Sequence, residues 1–207
     1  QSIADHFTEV KNRHYEYVLY DALAQHYLNK ERYRDSAKAY QAFTEIHGDH
    51  FQAPIFAVKQ IDVYILGNFP TLVLPAKQVF VTRYGIVGTY WLNWPIVLQE
   101  QVAPYLNEYL QELGLFEHSR GQMLGKASLE TKVQDSDKNR PTPQQFKEQA
   151  MQAFLLASKW YQQFILTFPK DEKTPETTYR LGEALFEAQQ YEGSIQAFER
   201  YAYQHLQ

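Results

Sequence analysis

Tyr33, Ser36, Ala39, Tyr40 and Phe43 return later in the chain as Tyr191, Ser194, Ala197, Phe198 and Tyr201. The shared pattern is aromatic, x, x, Ser, x, x, Ala, aromatic, x, x, aromatic. The preceding stretches match as well: Leu23, Ala24, Tyr27 and Leu28 correspond to Leu181, Gly182, Leu185 and Phe186. A third copy of the second half falls at Phe154, Ala157, Trp160, Tyr161 and Phe164. A worn fourth falls at Phe69, Leu72 and Ala76, preceded by Ile61 and Tyr64. The anchors Tyr33, Phe69, Phe154 and Tyr191 lie 36, 85 and 37 residues apart. Intervals of roughly 34–40 residues are those of two-helix repeats, and the long interval equals one such unit plus an insertion.

Apolar and aromatic side chains recur at helical spacing throughout, and no stretch alternates with period two for long. Each unit therefore reads as two antiparallel helices joined by a short polar turn, residues 29–32 in the first and 187–190 in the last. Small residues stand where two helix backbones approach: Ala24 and Ser36 in one unit, Gly182 and Ser194 in another. Tyr27, Tyr40 and Phe43 then fill the wedge between units. Gly48 and Pro169 end units, while Pro54 and Pro175 sit just inside the helices that follow, where a missing N–H costs nothing. Pro75 falls inside a helix and implies a kink. Residues 85–95, aromatic with two Gly, read as a packed loop. Residues 97–113 form a helix with Val102, Tyr105, Leu106, Tyr109, Leu110 and Leu113 on one face, continuing or restarting after Gly114. Residues 132–143 are polar and expected to be exposed and mobile, and a lengthened helix follows from 143 or 144 to 168. The expected fold is all-α: one domain forming a right-handed superhelix of about four helical pairs, with units at 15–48, 53–84, 96–169 (insertion 114–143) and 175–207. The third pair is enlarged.

These residues resemble a tetratricopeptide repeat, with 179–206 the best match and 17–48 nearly as good. A narrower likeness joins Arg32, Tyr33, Ala53 and Pro54 to the run 67–77 (Gly-Asn-Phe-Pro-Thr-Leu-Val-Leu-Pro-Ala-Lys), to 80–85 (Phe-Val-Thr-Arg-Tyr-Gly), and to Trp160, Phe164 and Phe168. It is similar to tetratricopeptide lipoproteins of Gram-negative envelopes, in the style of the helical lipoprotein of the outer-membrane assembly machine and the periplasmic partner of the Tol-Pal system. That resemblance implies a periplasmic or outer-membrane-associated scaffold, with a cytoplasmic location as the alternative. Membrane anchoring is not implied, since no lipid-accepting Cys is present.

Composition narrows the function classes. The 207 residues carry 20 basic and 24 acidic side chains, a net charge of -4, with no Cys. An apolar fraction of 44% allows a real core and excludes a disordered tail. The slight acidic excess argues against a nucleic-acid partner. Absent thiols remove thiolate zinc sites, disulfides and Cys nucleophiles. The longest uncharged stretch, residues 84–99, is interrupted by Gly85, Gly88, Asn93 and Pro95, so no transmembrane span is expected. The chain begins at Gln1, which reads as a removed signal or as a fragment of a longer protein.

Motifs that carry chemistry fail one by one. Gly121, Gly125, Lys126 and Ala127 imitate a phosphate loop, but the glycines are one residue too close and Ala127 replaces the magnesium-holding hydroxyl. The bland alternative is a helix break. His47, Asp49 and His50 lack a defined fourth ligand; they read as an inter-repeat turn with Gly48 as the helix cap. His6 and His14 are too far apart for one turn, and His26 belongs to an exposed face. Hydrolase signatures are absent. Glu108 and Glu112 stand four apart, as carboxylates on surface helices often do. The aromatic stripe would suit base stacking, yet its period is that of the core. No catalytic residue, cofactor or metal is expected.

What remains is the concave face lined by the first helix of each pair. Its unused residues are Asp21, Gln25, His26, Asn29, Lys59, Gln60, Asp62, Arg180 and Glu183. They are polar and of mixed sign, suited to an extended peptide or a partner helix. The expected function is a non-enzymatic protein-interaction scaffold of the bacterial envelope, binding a protein or peptide in that groove. One alternative is an architectural spacer that self-associates through the face with Ile195, Phe198 and Ala202. Another is an enzyme whose insertion at 114–143 uses Arg120, Lys126 and Asp135.

Overall fold

A computed structural model describes residues 15–86, 88–130 and 141–205. Among these, α1 is Glu16–Leu28, α2 Tyr33–Ile46, α3 Ala53–Leu66 and α4 Pro70–Tyr84. A 3-10 turn at Thr89–Asn93 follows, then α5 Ile96–Glu130, α6 Pro143–Thr167, α7 Thr174–Glu187 and α8 Tyr191–His205. No strand occurs among the described residues. The protein is all-α, and its helices pack as neighbouring pairs. The chain divides into two compact units, residues 1–106 and 107–207, with the boundary inside α5.

In the first unit, α1, α2, α3 and α4 each pack against the next. Tyr40, Phe43 and Phe56 are at most 2% exposed and meet ring to ring, Phe43 to Phe56 at 4.6 Å and Tyr40 to Phe56 at 5.2 Å. Each such ring contributes roughly 1.5–3 kcal/mol by leaving water. Ala24 and Ser36 are fully buried at the close approach of α1 and α2. Pro54 and Pro70 occupy the first turns of α3 and α4. Pro75 does lie inside α4, where its missing N–H removes one helical hydrogen bond. Beyond α4 the expected packed loop contains the 3-10 turn at Thr89–Asn93. The Tyr90 hydroxyl donates to the His50 carbonyl at 2.7 Å, and Trp91 Nε1 donates to that of Tyr84 at 2.8 Å.

Three hairpins share one turn. Glu31, Asn68 and Gln189 all lie in the left-handed region, at φ 56°, 56° and 61°. Immediately after each, an amide reaches back five residues: Arg32 to Tyr27, Phe69 to Tyr64 and Gln190 to Leu185, at 2.9, 2.9 and 2.8 Å. This is the helix-closing arrangement usually built on glycine. The next helix begins one residue later each time. So the repeat holds in the backbone even where its turn residues differ.

In the second unit, α6, α7 and α8 pack in succession. The core joins Phe154, Ala157 and Tyr161 of α6 to Leu181, Ala184 and Leu185 of α7 and Ala197 of α8. Gly182 is buried beneath the Phe198 ring, and the Ser194 hydroxyl donates to the Gly182 carbonyl at 2.9 Å. α6 starts on a capping box, with Thr142 and Gln145 each satisfying the other's backbone amide. Its 25 residues and the 35 of α5 make the third pair the enlarged one.

Two expectations are overturned. The helix break expected at Gly121 and Gly125 is absent: α5 runs unbroken from Ile96 to Glu130, and of the two alternatives at Gly114 the helix takes continuation. A Cβ on Gly114 would meet Tyr161 at 2.4 Å, and one on Gly121 would meet Phe154 at 2.9 Å. The two glycines are seven residues apart, as are the two rings. Tertiary packing of α6 rings onto α5 therefore overrides the low helix propensity of Gly, which costs about 1 kcal/mol against Ala. The helix cap expected at Gly48 is instead His47. Gly48 is buried under the Arg83 guanidinium, which a Cβ would overlap. The polar segment expected to be mobile falls, for residues 131–140, outside the described residues, as do His6 and His14.

Candidate functional site

The expected groove residues of the first unit come from α1 and α3, and Tyr40 of α2 gathers three of them. Its hydroxyl donates to Asp21 Oδ1 at 2.9 Å and accepts from Gln25 Nε2 at 3.0 Å. Lys59 Nζ donates to the same Asp21 oxygen at 2.8 Å. The ammonium also lies 5.6 Å from the Tyr40 ring centre and 5.4 Å from that of Phe56. Burial raises the Tyr40 pKa and the Asp21 carboxylate raises it further, so the hydroxyl stays a donor. Asp21 and Lys59 keep about a third of their side chains exposed, 36% each. Screening at such exposure limits the ion pair to roughly 0–1 kcal/mol. Its value lies in position: three helices hold one polar cluster, and Asp21 Oδ2 accepts nothing from the described residues.

The remaining first-unit candidates spread around it. Gln60 donates to the Tyr64 hydroxyl on its own helix at 3.0 Å. Asp62 is exposed; desolvation by its surroundings raises its pKa and the Lys77 charge opposes this. Asn29 caps α1 through its backbone and leaves its side chain exposed, and His26 is exposed too.

In the second unit Arg180 and Glu183 stand on α7. Arg180 Nη2 pairs with Glu176 Oε1 at 2.6 Å, and its charge lowers the Tyr161 pKa against the effect of burial. The Tyr161 hydroxyl lies 3.3 Å from His118 Nδ1. Burial pushes the Tyr161 hydroxyl up to about 12. Burial and then the Arg180 charge hold His118 below its ordinary value, with Glu187 opposing. Tyr161 and His118 thus form one buried hydrogen-bonded pair. Beside it, Glu117 is 3% exposed and paired with Arg120 at 2.7 Å; burial raises its pKa and Arg120 lowers it. Sequence reasoning read Tyr161 as a repeat ring and passed over its buried neighbours Glu117 and His118. A signal existed: 117 and 118 continue the apolar stripe of 110, 113 and 114, and charged residues at core positions of a stripe are rarely left unpaired.

The other candidates are accounted for by local contacts. His47 Nε2 lies 2.9 Å from the buried Glu16 carboxylate, while His50 Nδ1 accepts from the Gln52 amide at 3.1 Å. The His50 ring packs against Phe43, Phe51 and Tyr17. Among the described residues no three His, Asp or Glu gather as metal ligands, and no helix is long and apolar enough to cross a membrane. Glu108 and Glu112 are exposed on α5. Arg120 pairs with Glu117, Lys126 faces Glu130 at 3.7 Å, and Asp135 lies outside the described residues. On α8, Ile195 is 59% exposed and Ala202 is exposed, but Phe198 is half-buried against Gly182 and Tyr179.

No family model matches the sequence. No curated protein matches it either. Among solved structures the chain is similar to one titled the crystal structure of MamA protein, with 12% identical residues, 89% of each chain covered and a TM-score of 0.28. At that score the superposition carries no argument, and the fold rests on the paired helices described above.

Proposed function

We propose that this chain is a non-enzymatic, tetratricopeptide-like interaction scaffold that presents first-helix side chains to a protein or peptide. The supporting observation is the Asp21–Tyr40–Lys59 cluster, where an otherwise unremarkable surface pair is positioned by a fully buried tyrosine. Pre-positioned polar groups lose little rotamer freedom on binding, which is how a rigid surface gains affinity. Asp21, Gln25, Asn29, Lys59, Gln60 and Asp62 form the surface in the first unit, and Arg180 and Glu183 in the second. The setting we favour is the bacterial envelope, on the likeness at residues 67–77 and 80–85. A pull-down from envelope extract tests the reading. Asn29→Ala with Asp62→Ala, or Arg180→Ala, should lower recovery of a specific partner while helicity stays unchanged. Unaltered recovery with both variants rejects the surface.

A second reading, self-association, has one observation in its favour: Ile195 and Tyr203 of α8 are 59% and 72% exposed. Sedimentation at high protein concentration should then reveal a dimer, and a monomer throughout would dismiss it.

A further inference from the structure

The second unit holds a cleft of about 550 Å³ where the C-terminal part of α5, the start of α6 and the α7–α8 turn meet. Such a volume is typical of ligand pockets. Phe154 forms part of its floor, and Phe186 and Tyr191 stand on its wall, 56% and 54% exposed, with their rings edge to face at 5.6 Å. Gly125 also lines it, and nothing lies within 4 Å of where its Cβ would be.

That vacancy is anomalous within this molecule. Gly114, Gly121 and Gly182 each lie under an aromatic ring, of Tyr161, Phe154 and Phe198. Their absent Cβ is explained by the ring that replaces it. Gly125 sits in mid-helix, where glycine is unfavourable relative to alanine, and has no ring of its own. A helix glycine facing an open apolar cleft is suited to close approach by something from outside.

Charge around the rim narrows the occupant. Lys126 and Lys147 stand on the α5–α6 side, and Lys147 has no ion-pair partner among the described residues. Among the described residues of the lining the one carboxylate is Glu187, on the α7 side, and at the rim Lys126 lies 3.7 Å from Glu130, a pair open to solvent. An acidic segment is thus drawn to one wall, and a basic one is repelled there.

We infer that this cleft captures an aromatic side chain of an acidic peptide segment, the ring seating on Gly125 against Phe186 and Tyr191 and the flanking carboxylates pairing with Lys126 and Lys147. The inference rests on the scaffold reading and assigns it a specific pocket and ligand chemistry. Buried aromatic anchors with a charged rim are the usual energetic centre of such recognition.

The test uses the full chain and three ten-residue peptides: a central Trp flanked by Asp and Glu, the same peptide with Ala for Trp, and Trp flanked by Lys. Binding is followed by amide shifts in NMR. The acidic Trp peptide should shift the amides of residues 121–129 and bind more than about tenfold tighter than either control, the scale of losing one anchor. Gly125→Leu should reduce that binding by a similar factor while raising the melting temperature, because Leu is the better helix former. Lys126→Gln with Lys147→Gln should weaken binding and flatten its salt dependence. Equal binding of the Ala peptide, absence of shifts at 121–129, or a Gly125→Leu protein that binds like the parent overturns the inference. If it fails while Asn29→Ala with Asp62→Ala still lowers partner recovery, only the pocket is lost and the scaffold reading stands.

Discussion

Tyr161 rests its ring on the backbone of Gly114, so closely that a methyl group at that glycine would come within 2.4 Å of Cε1. The contact joins residues 47 positions apart and, with Gly121 under Phe154, fastens α5 to α6. Gly114→Ala should therefore destabilise the protein by about 1–3 kcal/mol, since overpacking outweighs the gain in helix propensity. Gly125→Ala, on the same helix with open space around it, should stabilise by roughly 0.5–1 kcal/mol. Urea unfolding of the two variants checks the opposite signs. If both stabilise, propensity alone governs α5 and the ring contact is of no consequence.

Glu31 has φ 56° at a turn that most helices close with glycine. Left-handed backbone costs an ordinary L-residue about 1–2 kcal/mol, part of which Gly recovers and part of which it loses to unfolded-chain entropy. Glu31→Gly should raise stability by about 0.5–1 kcal/mol, measured as a higher urea midpoint. Asn68→Gly should do less, because Asn tolerates this conformation better.

Much of this architecture was legible because it is written in residue size. Ala24 opposite Ser36 and Gly182 opposite Ser194 announced the close helix approaches, and the rings of Tyr40 and Phe43 announced the wedge they fill. The continuity of α5 was legible only in part: continuation through Gly114 was one of two readings, whereas Gly121 and Gly125 look like breakers until the ring over Gly121 is known. Only the matching interval of seven between Gly114 and Gly121 and between Phe154 and Tyr161 hinted at it. The site was partly legible. Spacing placed Asp21 and Gln25 on one helix face, but that Lys59 would share the Asp21 oxygen depended on Tyr40, which reads as core. His118 went unnoticed because a single histidine inside an apolar stripe has no motif.

Ser36 and Ser194 occupy the same place in the repeat and differ in their hydrogen bonds. The Ser194 hydroxyl donates to the Gly182 carbonyl at 2.9 Å, whereas buried Ser36 Oγ finds no partner among the described residues. Removing a satisfied buried hydroxyl costs about 0.5–1.5 kcal/mol, and removing an unsatisfied one relieves its desolvation penalty. Ser194→Ala should destabilise by that amount, and Ser36→Ala should be neutral or stabilising. Denaturant titration of the pair decides it, and equal losses at both sites would mean that Ser36 is bonded after all.

His118 makes stability depend on pH in a predictable direction. Burial and the Arg180 charge lower its folded pKa below the ordinary 6.5, with Glu187 opposing and the Tyr161 hydroxyl bonded to Nδ1. The unfolded chain then binds the proton more readily, so stability falls as pH drops through 6.5 and goes on falling until the folded value is reached. One proton contributes a slope of at most about 1.4 kcal/mol per pH unit. Glu117 acts in another window. Its folded pKa is raised by burial against the opposing Arg120, so its contribution is greatest below 4.5 and is lost as pH rises past that. The two groups can be separated by His118→Gln, which should remove the slope just below pH 6.5 and leave the Glu117 dependence in place. Melting temperatures at half-unit steps from pH 4 to pH 8 give the comparison. A parent and variant with the same profile between pH 5 and 6.5 would show that His118 takes up its proton in the fold without penalty.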